Sequence, residues 1–324
     1  MAKILVPLDG SPVSEEALSL ARQLASTLGG TLELVHVVEP VPLLDLLVSD
    51  RNGEAERYLA RVAEGVAGAV PVRVRVLDGD PVTELLRCAH QAPDSLIVMA
   101  THRRAGLSRL LLGSVADKVV RGATVPVVVV RQSSSTVAPA PRRLLVPLDG
   151  SVKAEAALPL AVRLGREGAA IALVRVIPPP LPWAAGWVDD DPTQSDPGQL
   201  GRMVDEARLE ARSSLAEVAR DLRRRGLSVT WEVRLGRPGD EIVRAAETTG
   251  ADLVLMATTG AHGSRRWSFG SVTDEVLRRS RGAVLVVPPR TQPDARPAPE
   301  PSGWASRTGG AARPRALPAL EQLR

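Results

Sequence analysis

The sequence predicts an α/β protein made of two repeated doubly wound domains, each with a five-stranded parallel sheet covered by helices. Two observations predict the duplication. The octapeptide Ile4-Leu5-Val6-Pro7-Leu8-Asp9-Gly10-Ser11 returns as Leu144-Leu145-Val146-Pro147-Leu148-Asp149-Gly150-Ser151. Further along, Met99-Ala100-Thr101-His102 running to Gly113-Ser114-Val115 returns as Met256-Ala257-Thr258-Thr259 running to Gly270-Ser271-Val272. Two separated matches in the same order mark a repeated domain rather than a chance peptide. A third observation predicts the class. Short aliphatic runs alternate with longer stretches of helical period, the pattern of a parallel sheet with right-handed crossovers.

In the first copy the apolar run 3–8 reads as strand one, and 14–28 as a helix closed by Gly29-Gly30. Strand two covers 31–38, a helix 54–69, and strand three, alternating in character, 72–77. A helix over 82–90 leads to strand four at 95–100. A last helix over 115–121 leads to strand five at 125–130. The second copy places strands near 143–148, 171–177, 228–235, 252–257 and 283–287. The domains are expected at 1–131 and 142–290, joined by a Ser-, Ala- and Pro-rich linker at 132–141. The copies lie further apart at Gly270 than at Asp149, so an insert falls between them, and 178–200 supplies it. It carries Pro178-Pro179-Pro180, Trp183, Trp187 and Asp189-Asp190-Asp191, and is expected over the ligand edge of the sheet or on a partner, or else as a loose loop. Residues 291–324 are rich in Pro, Arg, Gly and Ala without hydrophobic period, which predicts disorder.

Composition narrows the function classes. Aromatic residues are only 2% of 324, so the core must be aliphatic, as in strands covered on both faces. No apolar run approaches the ~18 residues of a membrane helix. The chain enters a strand at once, without a signal-peptide layout, so a cytoplasmic location is expected. The single cysteine, Cys88, excludes an internal disulfide framework and reads as packing. A net charge of +4 is too small to argue for a nucleic-acid groove. The run Arg223-Arg224-Arg225 lacks interleaved aromatics and reads as a solvated helix face. No Gly-x-x-x-x-Gly-Lys-Ser/Thr or Gly-x-Gly-x-x-Gly motif occurs, and His36, His90, His102 and His262 have no metal-ligand spacing. His36 reads as a packed or strand-end residue.

Chemistry is expected at the strand ends. Asp9 and Asp149 close strand one in each copy, where a carboxylate can accept from a ribose hydroxyl or a base amine, or instead build the turn and cap the next helix. Ser11 and Ser151 carry the same ambiguity. After strand four, Gly113-Ser114 and Gly270-Ser271 open helices, where N–H groups and a hydroxyl make a phosphate seat.

On these residues both halves resemble universal stress protein domains, over roughly 1–131 and 142–290. The resemblance implies a parallel fold of strand order 3-2-1-4-5, adenine nucleotide α-hydrolase-like. The family's ATP-binding members carry Gly, two residues, Gly, nine residues, then Gly-Ser or Gly-Thr. In the second copy this pattern falls on Ala257, Gly260 and Gly270-Ser271. Pro147, Asp149 and Val176 match positions around adenine and ribose, Met256 the residue under the base, and Val272 follows the phosphate pair. In the first copy Ala100 and Arg103 stand at the glycine positions, with Gly113-Ser114 and Val115 intact and Pro7, Asp9, Val37 and Met99 suited to an adenine pocket. Arg103 either obstructs the phosphate or pairs with it. The resemblance thus implies ATP as cofactor, with magnesium left open, and a nucleotide site better preserved in the C-terminal domain. It also implies a pseudo-twofold pairing of the two domains through their last strands, with homodimerisation as a further option. The function implied is regulation in stress adaptation. A signalling scaffold without nucleotide and a slow ATPase or nucleotidyl-transferring enzyme stand as alternatives.

Overall fold

The computed structural model describes residues 2–40, 50–66, 68, 70–101, 112–131, 141–179, 197–258 and 270–288. Most of the linker, most of the insert, the expected disordered tail, and Arg103, His102, Gly260 and His262 lie outside the described residues.

The first half runs β1 (Lys3–Pro7), α1 (Pro12–Glu15), α2 (Ala17–Thr27), β2 (Thr31–Val38), α3 (Arg51–Val66), β3 (Val72–Asp78), α4 (Pro81–Gln91), β4 (Ser95–Thr101), α5 (Ser114–Gly122) and β5 (Val127–Arg131). The second runs β6 (Arg143–Pro147), a 3-10 turn (Ala154–Ala157), α6 (Leu158–Arg166), β7 (Ala170–Ile177), α7 (Pro197–Arg224), β8 (Val229–Leu235), α8 (Pro238–Thr249), β9 (Leu253–Ala257), α9 (Ser271–Arg279) and β10 (Ala283–Val287).

Each half has the order 3-2-1-4-5, and the two five-stranded sheets are one ten-stranded sheet, β3-β2-β1-β4-β5-β10-β9-β6-β7-β8. Pairing is parallel within each half and antiparallel at the single junction, where Val284, Leu285 and Val286 face Val129, Val128 and Val127. The apolar last strands thus cover each other, removing two edges that would invite aggregation.

The central strands are apolar on both faces because helices cover both faces. One core holds Leu24 of α2, Leu59 of α3, Leu158 of α6 and Leu215 and Leu222 of α7 against Ile4, Leu34, Leu144 and Leu173. The other holds Leu85 of α4, Val119 of α5, Ile242 of α8 and Val276 of α9 against Leu5, Ile97, Leu145 and Val254. Cys88 is buried in this second core, as packing requires, with the Arg75 guanidinium 3.6 Å from its sulfur.

Residues 197–200, assigned to the insert, form the first turn of α7, where Pro197 is well placed because its missing N–H has no intrahelical partner anyway. The arginine run at the end of α7 lies on a solvated face, as expected, with Arg223 and Arg224 exposed. Arg223 donates to the Val229 carbonyl at 2.6 and 3.0 Å, Arg224 and Arg225 pair with Asp221, and Arg212 lies 5.9 Å from the ring of Trp231, an aromatic that the sheet brings from 19 residues away in sequence.

Candidate functional site

In a parallel sheet of this order the crevice opens where β1 and β4 diverge, outside the strands' carboxyl ends. In the first half that crevice is a cavity of about 840 Å³. It is lined by Pro7, Asp9, Val37, Met99, Ala100, Gly113, Ser114 and Val115, whereas Ser11, also singled out in the sequence, is not among its lining residues. Sequence reasoning missed Arg51, Thr101 and Leu112, and read His36 as a packed or strand-end residue without assigning it to the crevice. His36 precedes Val37, a proximity that could have flagged it. Arg51 comes from the start of α3, and no local signal connects it to the strand ends.

The turn after β1 explains why Asp9 stands there. Asp9 Oδ1 accepts the Ser11 N–H at 2.9 Å, and Ser11 Oγ accepts the Ser14 N–H at 3.2 Å, capping α1. Ser14 Oγ donates to the Ser11 carbonyl at 2.8 Å and accepts the Asp9 N–H at 3.3 Å. The turn-building role and the cavity-lining position therefore coexist in Asp9. His36 packs edge-on against Tyr58, ring centres 6.0 Å apart, and Tyr58 donates to Glu15 at 2.9 Å. Burial, then this hydrogen bond, pushes the Tyr58 hydroxyl up to about 12.

The second half repeats the turn. Asp149 Oδ1 accepts from the Ser151 N–H at 2.9 Å and hydroxyl at 2.6 Å, and Ser151 Oγ accepts the Ala154 N–H at 3.2 Å. Pro147 ends β6, and Val176 lies near the end of β7. Met256 and Ala257 close β9 and are buried. The chain returns at Gly270, whose N–H donates to the Thr258 carbonyl at 2.7 Å, and Thr273 Oγ1 donates to the Ala257 carbonyl at 3.0 Å. These bonds bring Ser271 and Val272, the first residues of α9, beside the end of β9. Gly260 lies outside the described residues.

Helices α5 and α9 begin behind Gly113 and Gly270, neither of which has a side chain to satisfy the first-turn N–H groups. Such a terminus favours an anion by both hydrogen bonding and dipole. Among the described residues, no group of three His, Cys, Asp or Glu side chains could hold a metal ion. Nor, among the described residues, is any helix long and apolar enough to cross a membrane.

The strand order, the repeated strand-one turn and the Gly-Ser helix starts together define a tandem protein of the adenine nucleotide α-hydrolase-like class. The profile of the universal stress protein family matches residues 1–131 and 141–288, and the chain belongs to that family. A universal stress protein of Methanocaldococcus jannaschii is 33% identical over 141 residues, which are 40% of this chain and 82% of that protein. One from Mycobacterium bovis is 38% identical over 138 residues, 41% of this chain. That match spans 46% of the mycobacterial protein, so about half its length is aligned. In fold, the chain resembles a universal stress protein from Archaeoglobus fulgidus with a TM-score of 0.65 and 21% identity, covering 89% of this chain and 96% of that one.

Proposed function

We propose that this protein is a regulatory module of stress adaptation that binds ATP in the strand-end crevices of its two domains. The observation that carries the reading is the cavity of the first half. Apolar walls from Val37 and Met99, the Asp9 carboxylate and the uncapped start of α5 converge there, as a purine, a ribose and a phosphate chain require. Motif content favours the C-terminal crevice, where Ala257, Gly260 and Gly270-Ser271 keep the family spacing. Both crevices are taken as sites. No protein metal ligands are assigned, and magnesium would enter only with the nucleotide.

Nucleotide released from the purified chain, counted by mass spectrometry beside equilibrium ATP binding, tests the reading. Two equivalents per chain are expected. Gly113→Arg and Gly270→Arg should each remove one, since Gly113 has φ −54°, a backbone any residue adopts, and a Cβ there meets nothing within 4 Å. The fold is thus retained while the crevice fills. Absence of bound nucleotide, with no binding of added ATP, would sink the reading and leave the scaffold alternative.

A further inference from the structure

We propose that the outer edge of the second half carries a binding shelf for single-stranded nucleic acid, formed by Trp231 of β8 and the arginines toward the end of α7. The shelf is a recess of about 490 Å³ lined by Ala216, Arg220, Arg223, Arg224 and Trp231. It lies on the outermost strand of the sheet, with β6 and β7 between it and the strand-end crevice. The first half has no equivalent of it. Val6 pairs with Leu34 and Leu34 with Val74, as Val146 pairs with Leu173 and Leu173 with Trp231. Trp231 therefore stands where the first half has Val74. The last turn of α3 has no basic residue, whereas that of α7 has Arg223 and Arg224.

The guanidinium groups of the shelf keep donors for a ligand. Arg212 lies 5.9 Å from the centre of the partly exposed Trp231 ring, and Arg220 is exposed; neither has a carboxylate partner among the described residues. Arg223 uses Nε and Nη2 on the Val229 carbonyl, which fixes its orientation and leaves Nη1. Arg224 gives Nη2 to Asp221 at 3.3 Å. Asp221, which also pairs with Arg225, and the exposed Glu217 are the carboxylates of this stretch, so positive charge is in excess. The chain's net charge of +4 does not report that local excess. From Arg212 to Arg224 the helix runs about 18 Å, at about 1.5 Å per residue. A row of guanidinium groups suits the phosphates of an extended chain, which arginine grips in bidentate fashion. The indole adds a platform on which a base stacks, whatever its identity. In a duplex the base faces are already stacked, so the ring selects a single strand. An acidic peptide would satisfy the arginines and leave the ring without a flat partner.

The test is fluorescence anisotropy of a labelled oligothymidylate of about twelve nucleotides, titrated with the full chain at low salt. Saturable binding that weakens with salt is expected, and saturating ATP should leave it unchanged. Arg220→Ala should lower the magnitude of the log–log salt slope by about 0.7, the loss of one phosphate contact on a single strand. Trp231→Val, which installs the residue of the first half, should weaken binding about tenfold, and Trp231→Phe should retain most of it. Thermal melting checks that the variants are folded. Equal affinity of the parent chain, Arg220→Ala and Trp231→Val overturns the inference and moves the contact elsewhere, to the arginine-rich residues 291–324 for example. Displacement of the strand by ATP also overturns it, by placing the strand in the crevices. Polyglutamate competing as well as unlabelled oligonucleotide overturns it by making the face a general anion binder. Absence of binding to the parent chain overturns it outright. The ATP reading of the crevices is independent of the shelf and rests on its own measurement.

Discussion

Two residues of the same type, in the same turn, face different surroundings. Gly10 and Gly150 have φ of +83° and +84°, where an L side chain costs about 1–2 kcal/mol. At Gly10 that backbone cost stands alone, because the space is open. At Gly150 a methyl group also collides with the guanidinium of Arg175 at 2.9 Å. Gly10→Ala is therefore expected to lower the unfolding free energy by about 1 kcal/mol, and Gly150→Ala by more. Adding Arg175→Ala to the second variant should bring its loss back toward that of the first. Denaturant unfolding of the four proteins measures this. Equal losses at the two glycines would mean that the guanidinium is not held over the turn.

Among elements, α3 and α1 are tied by a half-buried contact, Tyr58 to Glu15. The hydroxyl is pushed up to about 12, by burial first and the hydrogen bond to Glu15 second. The folded state thus holds the neutral form more strongly than the unfolded chain, whose tyrosine titrates near 10. This contribution is full below pH 10 and is lost as pH rises from 10 to about 12. Tyr58→Phe should flatten the decline of stability across that window, read from denaturation midpoints at pH 9 and 11. An unchanged slope would place the alkaline sensitivity elsewhere. The strands were legible in the sequence because aliphatic runs such as those of β1, β4 and β9 have no alternative to burial. Helix starts were less so. The helix expected from residue 54 begins at Arg51, because Asp50 Oδ1 accepts the Gly53 N–H at 3.1 Å, and the one expected from residue 14 begins at Pro12 behind the Ser11 cap. At the site, the strand-end residues could be read from repeated motifs. What crosses from other elements could not: Tyr58 beside His36 and Arg51 at the cavity wall are separated from their partners by long stretches of chain.

For the whole molecule, the question is what makes two domains one body. Backbone pairing of β5 with β10 buries valines on both sides of the junction. Around it, α5 and α9 present a reciprocal set of charges. Arg121 pairs with Asp117 at 2.9 Å and with Asp274 across the junction at 2.8 Å. Arg278 pairs with Asp274 at 2.7 Å and reaches Asp117 at 3.6 Å. The Arg278 hydrogen bond foremost, with Arg121 adding to it, holds the Asp274 carboxyl below its ordinary range. A depressed carboxylate contributes stability that is present above its unfolded pKa, about 4, and is lost as pH falls through the lower folded value. These pairs are partly exposed, so each is worth at most about 1 kcal/mol, whereas the strand junction excludes water from apolar surface and backbone alike. Arg121→Ala combined with Arg278→Ala is accordingly expected to cost about 1 kcal/mol, to reduce the acid sensitivity below pH 4, and to leave one cooperative unfolding transition in calorimetry. Two resolved transitions in that variant would show instead that the charges, and not the paired valine strands, join the halves.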